Sequence, residues 1–271
     1  MKDKTFIVPH DFTSVADTAL NHAITTAIQV GAKILVLHVV AKDVKISEAS
    51  DKLNEYISKV DSKGVELIPF VRVGNIFEDI ADFAAEQNAG MIFMGTHGAH
   101  GWQHVTGSHA LKVITNSLVP FIVVQEKHIR ENGYDDIVVP LDLNKETKQK
   151  LVVVAELATY FKSRVHVVTP EESDEFLLAK VKANINFAKT YFAERNIEVT
   201  VSMRPKSGFD KEVVKLAVSL DADLIAIMNL VKNNLFFAAG YEQYMITNDA
   251  QIPVLMVNPI ESSYGSSVLF G

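Results

Sequence analysis

Three observations predict two tandem flavodoxin/Rossmann-like α/β domains, each with a mainly parallel five-stranded sheet flanked by helices. Short apolar runs alternate with segments of helical period, the pattern of β–α–β units. The same order of segments occurs twice at an offset of about 130 residues, a duplication and not a many-repeat solenoid. The chain has 271 residues, enough for two cores of ordinary size.

The repeat shows in four places. Val8-Pro9-His10-Asp11 closes one apolar run and Val139-Pro140-Leu141-Asp142 closes another. His38-Val39 and His166-Val167 end the next runs, and Met94 and Met228 each precede a loop. Val119-Pro120-Phe121-Ile122-Val123-Val124 answers Ile252-Pro253-Val254-Leu255-Met256-Val257. These matches divide the chain into a first domain at 1–130 and a second at 131–271, with 126–135 as a polar linker containing Asn132-Gly133.

In the first copy, residues 5–9 read as a buried strand, and 15–30 have helical period with Thr13 or Ser14 as N-cap. A strand at 33–40 follows, then an amphipathic helix at 47–63 with Leu53, Tyr56, Ile57 and Val60 on one side. A strand at 65–73, a helix at 76–87 and a strand at 91–94, apolar on both faces, come next. A helix at 108–116 and a strand at 121–125 complete the set. The second copy repeats the order, with strands at 136–140, 164–169, 197–203, 224–228 and 254–257 and helices at 145–161, 173–195, 211–219 and 242–247. The tail from Ile260 has no periodicity and reads as loosely ordered or docked across a surface.

Composition narrows the function. Net charge is −7, against a nucleic-acid binder that relies on phosphate attraction. There are no cysteines, which removes disulfides, thiolate chemistry and Cys-ligated zinc. No signal-peptide core follows Met1 and no apolar stretch is long enough to span a bilayer, so a cytoplasmic protein with no membrane partner is expected.

In an open α/β sheet, ligands sit beyond the carboxyl ends of the strands. Asp11, Val39 and the loop Gly95-Thr96-His97-Gly98-Ala99-His100-Gly101 all fall there in the first copy, and Gly107-Ser108 opens the next helix. Glycines let backbone amides approach an anion, and a helix N-terminus adds unpaired donors. Two readings stand: a nucleotide site, or Asp11 as a helix cap with glycines that merely turn.

Pro9-x-Asp11, His38-Val39, Gly74 before a helix, Met94-Gly95-x-x-Gly98, Gly107-Ser108 and Pro120-Phe-Ile-Val-Val together resemble the universal stress protein family, in its tandem form. The resemblance implies an ATP-binding protein. Val39 would meet adenine through its backbone, and Asp11, next to Pro9, would lie near adenine and ribose. Gly95, Gly98, Gly107 and Ser108 would hold ribose and phosphates, with Met94, His97 and His109 in the same stretches. One departure stands out: the ATP-binding members have nine residues between the second and third loop glycines, whereas Gly98 and Gly107 enclose eight.

No G-x-x-x-x-G-K-[ST] is present, nor a strand-following G-x-G-x-x-G. Without a P-loop lysine or an evident base, fast phosphoryl transfer lacks its usual parts. Binding of ATP or a related adenine nucleotide, with magnesium, and signalling are expected, with at most slow hydrolysis. The alternatives are a scaffold that binds no nucleotide and a metal-responsive protein.

The second copy retains Asp142, but its loop places Asn229 at the first glycine, Lys232 at the second and Tyr241 at the small hydroxyl. Either Lys232 serves a different anion or this site is dead and Phe236-Phe237 simply pack. His97, His100, His104 and His109 fall within thirteen residues, as a transition-metal site or as solvated loop residues. Trp102 reads as a lid, an interface anchor or a plug. His38 and His166 read as structural. The apolar strands at 121–124 and 254–257 need partners along their edges. By resemblance they pair the two halves into a pseudo-dimer within the chain; a homodimer and an unnamed protein partner complete the expectation.

Overall fold

The computed structural model describes residues 5–41, 46–96, 107–115, 117–143, 145–230 and 240–260; the side chains of 107–109 and 145 fall outside the description. The first half runs β1 (Thr5–Pro9), α1 (Ser14–Val30), β2 (Lys33–Val40), α2 (Ile46–Ser58), β3 (Leu67–Val73), α3 (Ile76–Glu86), β4 (Met91–Gly95), α4 (Gly107–Thr115) and β5 (Phe121–Val124). The second runs β6 (Asp136–Pro140), a 3-10 turn (Lys145–Lys148), α5 (Lys150–Phe161), β7 (Arg164–Pro170), α6 (Glu175–Ala193), β8 (Val199–Arg204), α7 (Phe209–Ser219), β9 (Leu224–Met228), α8 (Tyr241–Ile246) and β10 (Val254–Val257). Among the described residues no helix is long and apolar enough to cross a membrane.

The ten strands among the described residues form one sheet in the order β3-β2-β1-β4-β5-β10-β9-β6-β7-β8. Every neighbouring pair is parallel except β5 with β10, where Val254, Leu255 and Met256 face Val123, Ile122 and Phe121 in antiparallel register. Each apolar edge is therefore closed by the other, and neither offers unpaired backbone to another chain. The sheet carries one core on each side. The face covered by α1, α2, α5 and α6 buries Phe6, Val8, Leu20, Ile24, Val139, Val154 and Phe192. The opposite face buries Ile7, Ile92, Phe121, Val213, Ile227 and Met256. Both cores run across the seam.

Two expected elements end elsewhere for local reasons. The helix expected at 47–63 stops at Ser58, where the Lys59 and Val60 amides turn back to the Tyr56 and Ile57 carbonyls three residues earlier; the left-handed Lys63 (φ 51°) and Gly64 (φ 86°) then lead the chain toward β3. The helix expected at 145–161 is split into the 3-10 turn and α5.

The stretch 126–135 is more firmly held than its polar composition implied. Tyr134 is fully buried and its ring meets Phe161 edge-on at 5.2 Å. The Tyr134 hydroxyl donates to His22 Nδ1 at 2.9 Å, and His22 Nε2 donates to the Lys127 carbonyl at 3.0 Å. Arg130 reaches Asp221 and, at 3.2 Å, Asp223. Both His22 nitrogens are thus used by the neutral ring, and burial pushes its pKa down from 6.5 to about 4. The unfolded chain binds this proton more tightly, so stability falls as pH drops below 6.5. The expected loss from this group is about 1.5 kcal/mol between pH 6.5 and 5. Denaturant titrations across that range should show a slope that flattens in His22→Gln.

Candidate functional site

The chain leaves β1 for β2 and β3 on one side and returns through β4 and β5 on the other, so β1 and β4 flank a topological switch point. In such sheets the crevice above the carboxyl ends opens there. Pro9 ends β1 and Gly95 ends β4 on its two sides, Val39 lies near the end of β2, and Gly107 and Ser108 open α4. Pro9 and Met94 are buried, and Val39 and Asp11 are half-buried. His97 and Gly98 lie outside the described residues, as do His100, His104 and Trp102. Gly107, Ser108 and His109 are placed only as the first turn of α4.

Asp11 is engaged on one side. Its Oδ1 accepts from the Thr13 amide at 3.2 Å and the Thr13 hydroxyl at 2.6 Å, while Thr13 Oγ1 accepts from the Ala16 amide and caps α1. The capping reading therefore describes one carboxylate oxygen. Asp11 Oδ2 makes no hydrogen bond among the described residues.

Gly95 has a packing reason of its own. A Cβ here would lie 2.6 Å from Val15 Cγ1 and 2.7 Å from the Val15 carbonyl oxygen. The first turn of α1 crosses directly over the end of β4, and only bare backbone fits beneath it. Gly74 is similar on a smaller scale: a Cβ would enter the Asp79 carboxylate, which accepts from the Asn75 amide and from Arg72 Nε at 2.6 Å each.

Beside these residues lies an aromatic and polar cluster that sequence reasoning missed. His10 Nε2 donates to Asp17 Oδ1 at 3.1 Å, and the Phe12 amide donates to His10 Nδ1 at 3.1 Å. Tyr56 donates its hydroxyl to the same Asp17 oxygen, and His38 Nδ1 donates to the His10 carbonyl at 2.7 Å. The Phe12 ring packs 4.8 Å from His38, and Lys52 Nζ stands 4.0 Å over it. Burial pushes the His10 pKa down, with Asp17 opposing, and both ring nitrogens are taken. His10 is thus a structural ring and not a general base. Turning the Phe12 amide back to His10 puts Phe12 at φ 67°, a strained angle for a side chain of this size. The signal in the sequence was Tyr56 on the apolar side of its helix, where packing alone explained it.

Strand register corrects the way the two halves were matched. Pro9 pairs Leu37 and Pro140 pairs Val168, so Thr169-Pro170, not His166-Val167, stands at the place of His38-Val39. Gly95 pairs Val124 and Met228 pairs Val257, so Met228 stands at Gly95 and Asn229 at Thr96. In α8, Glu242, Met245 and Ile246 are buried as Ala110, Val113 and Ile114 are in α4, which puts Gly240, not Tyr241, at Ser108. Two-residue matches inside valine-rich strands slide easily; ladder partners do not. Lys232 lies outside the described residues. His166, third in β7, bonds Asp136 at 2.7 Å and Thr200 at 2.8 Å, a structural role.

The corrected register shows why the second crevice differs. Pro170 has no amide to offer where Val39 has one. Met228 brings a side chain where Gly95 has none, and the segment after β6, at the place of the first turn of α1, is a 3-10 turn instead of α-helix. The Leu230 amide donates to the buried Glu242 carboxylate at 3.2 Å, an internal anion at the mouth of the loop. Lys150, also buried, donates to the Pro140 carbonyl at 2.6 Å and to Thr147 at 3.2 Å, in the field of Asp142. Among the described residues no group of three histidines or carboxylates could hold a metal ion.

A doubly wound sheet with a switch-point crevice defines a class of small α/β ligand-binding domains. Residues 3–125 match the model of the Universal stress protein family. Universal stress protein MJ0531 of Methanocaldococcus jannaschii is 26% identical over 140 residues, covering 45% of this chain and 82% of that protein. A universal stress protein from Archaeoglobus fulgidus superposes with a TM-score of 0.76 at 16% identity, over 95% of this chain and 99% of that one. A putative universal stress protein from Pseudomonas aeruginosa gives a TM-score of 0.65 at 17% identity, over 95% and 94%. The first half of the chain thus matches the universal stress protein family in sequence. The two structural likenesses extend the fold across both halves.

Proposed function

We propose that this universal stress protein binds ATP, with magnesium, or a related adenine nucleotide in a first domain at 1–130, and that a second domain at 131–271 is its degenerate partner. The observation that carries the reading is the asymmetry of the two crevices. Asp11, Val39 and Gly95 lie at the strand ends of the first, whereas in the second Asp142 is kept but Pro170 stands at Val39 and Met228 at Gly95, with the buried Glu242 and Lys150 close by. Asp11 would lie near adenine and ribose, with the Val39 backbone against the base. The main chain at Gly95, His97, Gly98, Gly107, Ser108 and His109 would take the phosphates, and Pro9 and Met94 would form the floor. With no P-loop lysine or evident base in the sequence, the nucleotide serves as a signal in a cytoplasmic protein rather than as a fast-turnover substrate. Assembly into a homodimer and recruitment of a protein partner belong to the same reading.

Thermal melting with and without Mg-ATP tests it. A ligand at a hundred times its dissociation constant adds about 2.7 kcal/mol, which raises the Tm by several degrees. Gly98→Val should abolish the shift while Lys232→Ala leaves it unchanged; the reverse would assign the nucleotide to the second half. No shift, with no nucleotide released on denaturation, would favour the scaffold.

A further inference from the structure

The second half, the degenerate partner in the reading above, holds the far end of α4 by side-chain amides. Asn258, just past β10, donates through Nδ2 to the carbonyls of Ile114 and Ser117. Asn229, just past β9, donates through Nδ2 to Thr115 Oγ1 at 3.0 Å and to Asn258 Oδ1 at 2.8 Å. Thr115 passes its own proton to the Leu111 carbonyl at 2.6 Å. The last turn of α4 is thus tied to two asparagines of the other half, both buried. The reverse tie is thinner: Gln125, at the place of Asn258, donates to the Asn248 carbonyl at 2.9 Å.

A helix end leaves carbonyls without partners, and a buried donor that satisfies them holds the helix along its axis and in rotation. α4 is one rigid element nine residues long, and its other end, Gly107-Ser108, opens onto the first crevice. Sliding or turning the last turn moves the first turn equally, and amides that cradle an anion tolerate little misplacement.

We propose that Asn229 and Asn258 are positioning residues for the first half's ligand: they set α4 so that its amino-terminal amides meet the phosphates. The inference rests on the nucleotide reading above and goes beyond it by making the first site incomplete without the second half. It also gives a physical reason for a half without a usable crevice to keep its fold.

The test separates phosphate from base. In Asn258→Ala the affinity for Mg-ATP, by calorimetry, should fall about tenfold while that for adenosine, which has no phosphate, stays within about twofold. Equal losses for both would show general loosening and overturn the proposal. Asn229→Ala, which removes the bonds to Thr115 and Asn258 alone, serves as the milder variant and should show the same split. Hydrogen exchange without ligand gives an independent arm: the amides of α4 should exchange about tenfold faster in both variants while those of α7 do not change. Unchanged exchange in α4 overturns the proposal whatever binds. If the native protein binds neither ATP nor adenosine, the nucleotide reading fails, and the exchange arm alone decides whether the asparagines position α4.

Discussion

Gly95→Ala is expected to lower the stability of the folded chain by about 3 kcal/mol, the upper part of the range for an overpacked site. The added methyl would sit 2.6 Å from Val15 Cγ1, which can rotate away, but also 2.7 Å from the Val15 carbonyl oxygen and 2.9 Å from its carbon, which cannot. Relief requires the first turn of α1 to lift off β4, and with it the Thr13 cap and the Asp11 carboxylate that anchors that cap. The same substitution should therefore abolish the Mg-ATP melting shift. Urea unfolding and thermal melting measure the two effects. A stability within 0.5 kcal/mol of the native protein, roughly the range of an ordinary surface change, would mean that the close approach is not a constraint. The second half shows what a side chain at this position goes with: Met228 stands there, and the segment at the place of the first turn of α1 is a 3-10 turn.

The second large effect is expected in alkaline solution and runs opposite to common behaviour. Lys150 is buried beneath β6, and burial pulls its pKa from 10.5 to about 8, with the Asp142 carboxylate opposing. The folded chain thus releases this proton more readily than the unfolded one, and between pH 8 and 10.5 the unfolded state holds more protons. Where that is so, stability rises with pH. The expected rise from this group is about 2 kcal/mol between pH 7.5 and 9.5. Above that range the buried tyrosines Tyr134 and Tyr241, whose pKa values burial raises, begin to oppose it. Lys150→Met keeps the aliphatic bulk and removes the titration, so its stability should be flat over the same interval. A rise that persists in the variant would assign the effect to another group.

Much of the architecture was legible because it depends on patterns within a few turns of chain. The strand 5–9 agrees with β1, and the cap of α1 falls on Thr13, one of the two short side chains expected there. Boundaries failed where a helix ended early, as α2 does at Ser58, since apolar periodicity does not report the tight turns that close a helix. The site was half legible. Pro9, Asp11, Val39, Met94 and Gly95 come to the carboxyl ends of neighbouring strands, as their positions after apolar runs implied. The cluster of His10, Asp17, His38 and Tyr56 was not legible, because its members come from four elements and meet only through the packing of α2 on β1 and β2.

The sequence by itself determined the alternation of strand and helix, the duplication, and the glycine-bearing loop of the first copy, all properties of residues near one another along the chain. Register, and everything that follows from it, belonged to the tertiary structure. Only paired strands show that Pro170 and Met228 stand at Val39 and Gly95, because a hydrogen-bond ladder assigns partners one by one where valine-rich runs match in several frames. The hold of Asn258 and Asn229 on α4 joins groups more than a hundred residues apart, and it exists only once β5 and β10 have closed the seam.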